Sequence, residues 1–319
     1  MNDLAKLGNL EALQELTWEL FWSYFRDDYS WFIPGLVGLL LFLFFVNYFT
    51  RTGAIARATT KEAIRQPVYL LLLAVGSVIM WANCYIPFFS LGDDTKMFID
   101  CGLATILICS LLVAIWTASL SVAEEIEGKT AMTLLSKPIT RREFILGKYF
   151  GIAQSTLWMI LFFGFQLIGL IFFLKAGIDA KESSATITDV EKLTTALRVL
   201  PGMALVFMEV AVMTAISVAI STRMPMLVNV TSCLAVFVIG HLTPVLVKSS
   251  LQNVPFVKFV ANLLATILPA LDNYNMSAAI AMEQKIPMDY IGYNALYSVC
   301  YITAIVLLAF ILFEDRDLA

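Results

Sequence analysis

Long apolar runs separated by short polar stretches set the pattern of this chain. A helix that crosses the hydrocarbon of a bilayer needs about 20 mostly apolar residues. Seven runs meet that length, near 31–49, 68–88, 101–120, 152–174, 199–220, 226–247 and 291–313. A shorter apolar stretch, Phe256 to Leu268, is bounded by Pro255 and Pro269 and is too short to cross. It predicts a re-entrant or interfacial helix on the outer side before the last span, where irregular backbone is tolerated only under protein cover or beside water. The predicted fold class is an all-α polytopic membrane protein with about seven transmembrane helices.

Two amphipathic segments flank the first run. In "RTGAIARATTKEAIRQPVYLLLL" the apolar Ile55, Ala58, Ala63 and Ile64 alternate with Arg57, Lys61 and Arg65 until Pro67 breaks the pattern. That is a surface helix feeding a span. Before residue 30, Leu10, Leu13, Leu16, Leu20, Phe21 and Tyr24 recur at helical spacing, with Trp18 and Trp22 nearby and acids opposite. This stretch reads either as a helix lying in the membrane interface or as one packed on a neighbour. It has no basic leader and no small-residue cleavage site, so the first run reads as a retained span rather than a signal peptide.

Composition agrees with a bilayer protein: 60% of the 319 residues are hydrophobic and 14% charged, against roughly 45–50% and 25% in soluble domains. The net charge of −4 and the lack of a basic stripe exclude a nucleic-acid partner. Cys84, Cys101, Cys109, Cys233 and Cys300 lie in or beside apolar runs without C-x-x-C spacing, which reads as buried thiols rather than a metal or disulfide framework. Orientation rests on where Lys and Arg collect. Eleven of the 21, including Arg51, Arg57, Lys61, Arg65, Lys129, Lys137, Arg141, Arg142 and Lys148, crowd into the shorter loops of one side. The other side shares its basic residues with most of the acids, so the N-terminus is expected outside and the C-terminus in the cytoplasm.

The loop between the third and fourth runs, "SVAEEIEGKTAMTLLSKPITRREFILGKYFG", contains Gly128-Lys129-Thr130, the last three letters of a nucleotide-binding P-loop. A P-loop also needs a glycine five positions before its second glycine, and Ala123 stands there, with Glu124, Glu125 and Glu127 placed to repel a phosphate. The Glu124-Glu125 pair does not make a metalloprotease, because a catalytic zinc takes three protein ligands and His241 is the single histidine. Without G-x-S-x-G or H-E-x-x-H, no catalytic site and no metal site is expected. What remains is a charged segment around "KTAMTLLSK", whose Ala131, Leu134 and Leu135 form a short apolar ridge. Such a ridge suits either a groove on a partner protein or the lipid surface.

The residues Glu125, Glu127, Gly128, Thr130, Leu134, Leu135, Ser136, Pro138, Arg141, Gly147 and Lys148 together resemble the signature of ABC type-2 permeases. The likeness extends over about residues 53–313. It implies a six-helix permease core in 53–319, preceded by an addition in 1–52 made of the interfacial helix and an extra span. Position 133, an acid in many members, is Thr133 here. The resemblance also implies that the segment is a cytoplasmic coupling helix seated on a separate ABC ATPase subunit. Glu125, Glu127, Gly128, Thr130, Leu134, Leu135, Pro138, Arg141, Gly147 and Lys148 would then be coupling positions. ATP and Mg would be held by that ATPase and no cofactor by this chain. A second permease copy, as homodimer or heterodimer, and the lipid bilayer complete the implied partners, in a bacterial cytoplasmic membrane.

Within the fifth run, Glu209 falls near mid-membrane, where a charged side chain costs about 2.5–3.5 kcal/mol and marks a functional hypothesis by default. Met213 and Ser217 share its helical face. On the next, antiparallel run His241 is expected about 6 Å nearer the outer surface at about 1.5 Å per residue, within reach of a water-bridged pair. Two roles stay open for Glu209: part of a translocation path with His241, or a protonated hydrogen-bonding group that holds helices together. Gln154, Gln166 and Asn229 read as helix–helix contacts. The leading expectation is the permease subunit of an ATP-driven exporter. An ion- or proton-coupled carrier using Glu209 and His241, or a membrane anchor of a larger machine that moves no solute, are the alternatives.

Overall fold

The computed structural model describes residues 30–85, 94–125, 139–175, 189–248, 255–276, 279–280 and 286–314. Helices α1 (Phe32–Phe49), α2 (Arg51–Arg65), α3 (Pro67–Tyr85), α4 (Asp94–Ala118), α5 (Arg141–Leu170), α6 (Asp189–Leu197), α7 (Val199–Ser221), α8 (Met226–Lys248), α9 (Pro255–Ile267) and α10 (Met288–Glu314) follow in order. There is no strand among the described residues. α4 and α5 end in π turns, Ser119–Glu124 and Ile171–Lys175, and a 3₁₀ turn, Leu271–Tyr274, follows α9. Seven of these helical stretches are long and apolar enough to cross a membrane. The chain is an all-α polytopic membrane protein.

Helix is the form this sequence must take in hydrocarbon, because no water is present to satisfy backbone N–H and C=O groups. Burial sorts the spans into layers. The span ending in α7 is 78% buried over its apolar window and that of α1 only 17%. α7 is apolar on most positions with no distinct polar face, the mark of a helix inside a bundle, and packs on α4, α5 and α10. Phe98, Ile106, Ile152, Met159, Phe163 and Phe313 are fully enclosed around it. The outer helices present Phe45, Leu71, Leu227, Tyr293 and Leu296 outward, as a hydrocarbon-facing surface requires.

The spans are longer than the apolar runs suggest. α5 begins at Arg141, about three turns before the fourth run, because a polar extension continues the helix beyond the hydrocarbon. Its start is set by Thr140, whose hydroxyl accepts from the Glu143 amide (3.2 Å) while the Glu143 carboxylate accepts from the Thr140 amide (2.8 Å), a reciprocal capping box. α2 packs along this extension. Its buried face is Gly53, Ile55, Ala56, Thr59, Thr60 and Ala63, whereas Ala58 and Ile64, expected on the apolar face, are exposed. The reason is close approach. A Cβ on Gly147 would stand 2.6 Å from the Ile55 Cβ, and one on Gly151 2.6 Å from the Thr59 Cβ and 2.7 Å from the Ala56 carbonyl oxygen. Two glycines one turn apart bring the helices together, and only small or β-branched side chains on α2 fit the seam.

Gly151→Val is therefore expected to destabilise the protein by about 1–3 kcal/mol through overpacking. Gly35→Val on α1, where nothing lies within 4 Å of an added Cβ, is expected to leave the thermal midpoint in detergent unchanged. Equal midpoints for the two variants would count against a close α2–α5 seam.

Candidate functional site

The charged segment between α4 and α5 has two roots, and both are tied to the bundle. At the first, Glu125 follows the π turn, and its Oε1 lies 2.6 Å from the Nζ of Lys148. The Lys148 side chain is 4% exposed and that of Glu125 25%, and the ammonium stands 5.6 Å from the centroid of the Phe144 ring. An enclosed ammonium needs this partner, since removing one member of a buried pair strands the other. At the second root, Arg141 donates to the carbonyls of Phe313 (3.1 Å) and Glu314 (2.9 Å). It caps the C-terminal end of α10, where a cation meets unsatisfied carbonyls and the negative end of the helix dipole. Its guanidinium also covers the Phe313 ring at 5.7 Å.

Of the ten expected coupling positions, Glu125, Arg141, Gly147 and Lys148 are placed in this way, all engaged within the chain. Glu127, Gly128, Thr130, Leu134, Leu135 and Pro138 lie outside the described residues, and with them the expected coupling helix.

Just above the first root, the π turn Ser119–Glu124 is fastened to two other helices. Asn229 of α8, fully buried, donates to the hydroxyls of Ser119 (2.8 Å) and Ser217 on α7 (3.1 Å). Its Oδ1 accepts from the Cys233 thiol at 3.4 Å. Ser217, expected to share a path-lining face with Glu209, spends its hydroxyl here, and Met213 is fully enclosed within the chain. π turns are rare and recur at functional sites.

Inside the membrane Glu209 is 1% exposed, and its Oε1 lies 3.4 Å from Nε2 of His241. The two meet directly rather than through water. His241 Nδ1 is 3.2 Å from the Phe237 carbonyl, so Nδ1 carries a proton and donates it. The Nε2–Oε1 approach is a close polar contact rather than a hydrogen bond, since Glu209 Oε1 has no hydrogen-bond partner among the described residues.

The end of the bundle away from the two roots holds a polar set that the sequence reading missed. On α10, Tyr297 accepts from the Ala270 amide (3.1 Å), Tyr301 donates to the Ile267 carbonyl (3.1 Å), and Tyr290 and Asn294 both donate to the Asn273 carbonyl. Ser298 shares a 2.7 Å hydrogen bond with the buried Tyr274. Burial pushes the Tyr274 hydroxyl up to about 12, so it keeps its proton for that bond. The spacing 290, 294, 297, 301 of polar-tipped residues on one helical face was the available signal.

The sequence model for ABC-2 family transporter proteins matches residues 26–318. No curated protein matches the chain.

The pair at the first root sets a double-mutant cycle. Glu125→Gln is expected to destabilise by about 3 kcal/mol because it strands a buried ammonium. Glu125→Gln combined with Lys148→Met should recover most of that loss in chemical denaturation. Additive losses would mean that the two side chains do not interact.

Proposed function

The chain belongs to the ABC-2 family of transporter proteins, and we propose that it is the permease subunit of an exporter driven by a separate ATPase that engages the 124–148 segment. Family membership makes it a multi-pass membrane permease of an ABC transporter, a class that works with an ABC ATPase partner. The geometry that carries the finer reading is the tying of both roots of that segment. Glu125 binds Lys148, and Arg141 binds the end of α10. A displacement applied between the roots would reach α4, α5 and α10 together. A partner's ATP-driven closure biases a membrane protein only through contacts that differ between its two states, and a stiffly rooted segment offers such contacts. The ATP and Mg would belong to that partner. The six-span core in 53–319, a cytoplasmic position for this end of the bundle, pairing with a second copy and a bacterial cytoplasmic membrane are parts of the same proposal.

Co-purification tests it. The ATPase should accompany the parent chain, and Leu134→Asp with Leu135→Asp should reduce its recovery by more than about tenfold, the effect of losing apolar anchors worth about 1.4 kcal/mol or more. Undiminished recovery would sink the coupling assignment.

A second reading, a proton-coupled carrier, draws on the direct Glu209–His241 contact. It expects Glu209→Gln to abolish the pH dependence of flux in reconstituted vesicles. Unchanged flux at every pH leaves the pair as a tie between α7 and α8.

A further inference from the structure

A cavity of about 320 Å³ opens where α1 ends, between α1, α2 and α5. Arg57 and Lys61, one turn apart on α2, stand on its lining, and no carboxylate of the described residues does. Neither cation forms an ion pair among the described residues. Glu62, the acid of α2, is exposed and does not line the cavity. Arg57 is held in place: it donates to the Asn47 carbonyl at 2.6 Å and lies 4.8 Å over the Tyr48 ring. One donation leaves most of the guanidinium's five N–H groups available.

The remainder of the lining changes character with depth. Asn47 and Gln154, joined at 3.0 Å, form a polar wall. Beyond them the surface is apolar, with Leu40, Leu43 and Leu157. Tyr48, beneath Arg57, stands at the opening, a residue type that settles at the headgroup level of a bilayer, and Trp158 follows Leu157 into the deeper part of the lining. Two cations with no ion pair among the described residues, near the level of Tyr48 and above an apolar floor at hydrocarbon depth, match one chemistry: an anionic headgroup carrying an acyl chain. A free phosphate would use the cations and leave the floor in contact with water. Basic pockets between membrane helices bind acidic lipid headgroups by this arrangement.

The packing of α1 adds an independent reason. Only Leu43, Val46 and Asn47 of α1 are buried. On the other side of that seam an apolar groove of about 770 Å³ separates α1 from α5, α7 and α10, and it shares Leu43 and Leu157 with the first cavity. Among the described residues, the first span thus meets the bundle along one narrow line with a cavity on each side.

We propose that the cavity between α1, α2 and α5 binds an anionic phospholipid, its phosphate against Arg57 and Lys61 and an acyl chain on Leu40, Leu43 and Leu157, completing the attachment of the first span. The site stands whether or not the chain couples to an ATPase.

The test uses the full chain in detergent with phosphatidylglycerol and phosphatidylcholine of matched chains. Native mass spectrometry is expected to show phosphatidylglycerol retained on the order of tenfold more tightly, as two cations near an acidic headgroup imply. Lys61→Gln changes an exposed side chain and should remove a large part of that preference without unfolding the protein. Arg57→Gln with Lys61→Gln should bring the two lipids level. Brominated-chain phosphatidylglycerol should quench a component of fluorescence that Trp158→Phe eliminates. Equal affinity for the two lipids overturns the proposal, as does a preference unaffected by Lys61→Gln. Inorganic phosphate that displaces phosphatidylglycerol at equal concentration would show a soluble-anion site and overturn it too.

Discussion

Hydrocarbon offers no hydrogen bond, and the architecture follows from that one constraint. It makes every span a helix, and it also decides which helices become neighbours. Apolar faces cannot do so alone, because lipid tails are as apolar as leucine. Polar side chains can. Gln154 reaches Asn47, Gln166 takes a 3.0 Å bond from Ser77, Asn229 joins Ser119 and Ser217, and Glu209 meets His241. Each contact fixes a pair of helices at one register, since a slide of one turn would strand a polar group in lipid. Thr156 and Thr214 illustrate the alternative, returning their hydroxyls to carbonyls of their own helices, and they specify no neighbour.

Where polar pairs set register, small residues set distance, and both devices concentrate in the first three turns of α5. Gly147 and Gly151 admit α2, Lys148 holds the end of the α4 π turn through Glu125, and Arg141 caps α10. Three elements from distant parts of the chain therefore converge on one short polar length of helix. This density accounts for the clustering of motif residues at α5's start. A residue there has to satisfy a seam, a charge and a cap at once, so few side chains fit each place.

The apolar runs made the seven spans and the short α9 readable, because the length of a run measures hydrocarbon thickness directly. Helix starts were less readable. The fourth run gave no sign that α5 begins at Arg141, since polar residues continue a helix in water as well as they end one. The face of α2 was misread for a related reason: hydropathy ranks Ile64 above Thr59 and Thr60, yet a seam made by glycines selects for size. The signature residues Glu125 and Lys148 were visible as letters. That they face each other was not, because their contact depends on how α4 and α5 cross. The same holds for Arg141 and the α10 carbonyls, separated by more than half the chain. The tyrosines of α10 had a helical period, but their partners Ile267, Ala270 and Asn273 lie at the end of α9 and in the short turn after it, too brief to carry a period to match.

The joint between α1 and α2 shows how these constraints act on the periphery. Thr50 caps α2 by accepting from the Gly53 amide (3.1 Å) and donates back to the Val46 carbonyl at 2.6 Å. An added Cβ on Gly53 would collide with Val46 and Asn47 backbone, so this corner tolerates no side chain. Arg57 adds a tie to the Asn47 carbonyl. The lower end of α1 is therefore stiffly fixed to α2, and α2 is fixed to α5, while the upper part of α1 meets the bundle only loosely. A tilt of α5 would carry α1 by its foot rather than along its length. The space beside α1 then changes more than any packed seam in the core, because close-packed interfaces resist deformation and loosely filled ones take up the movement.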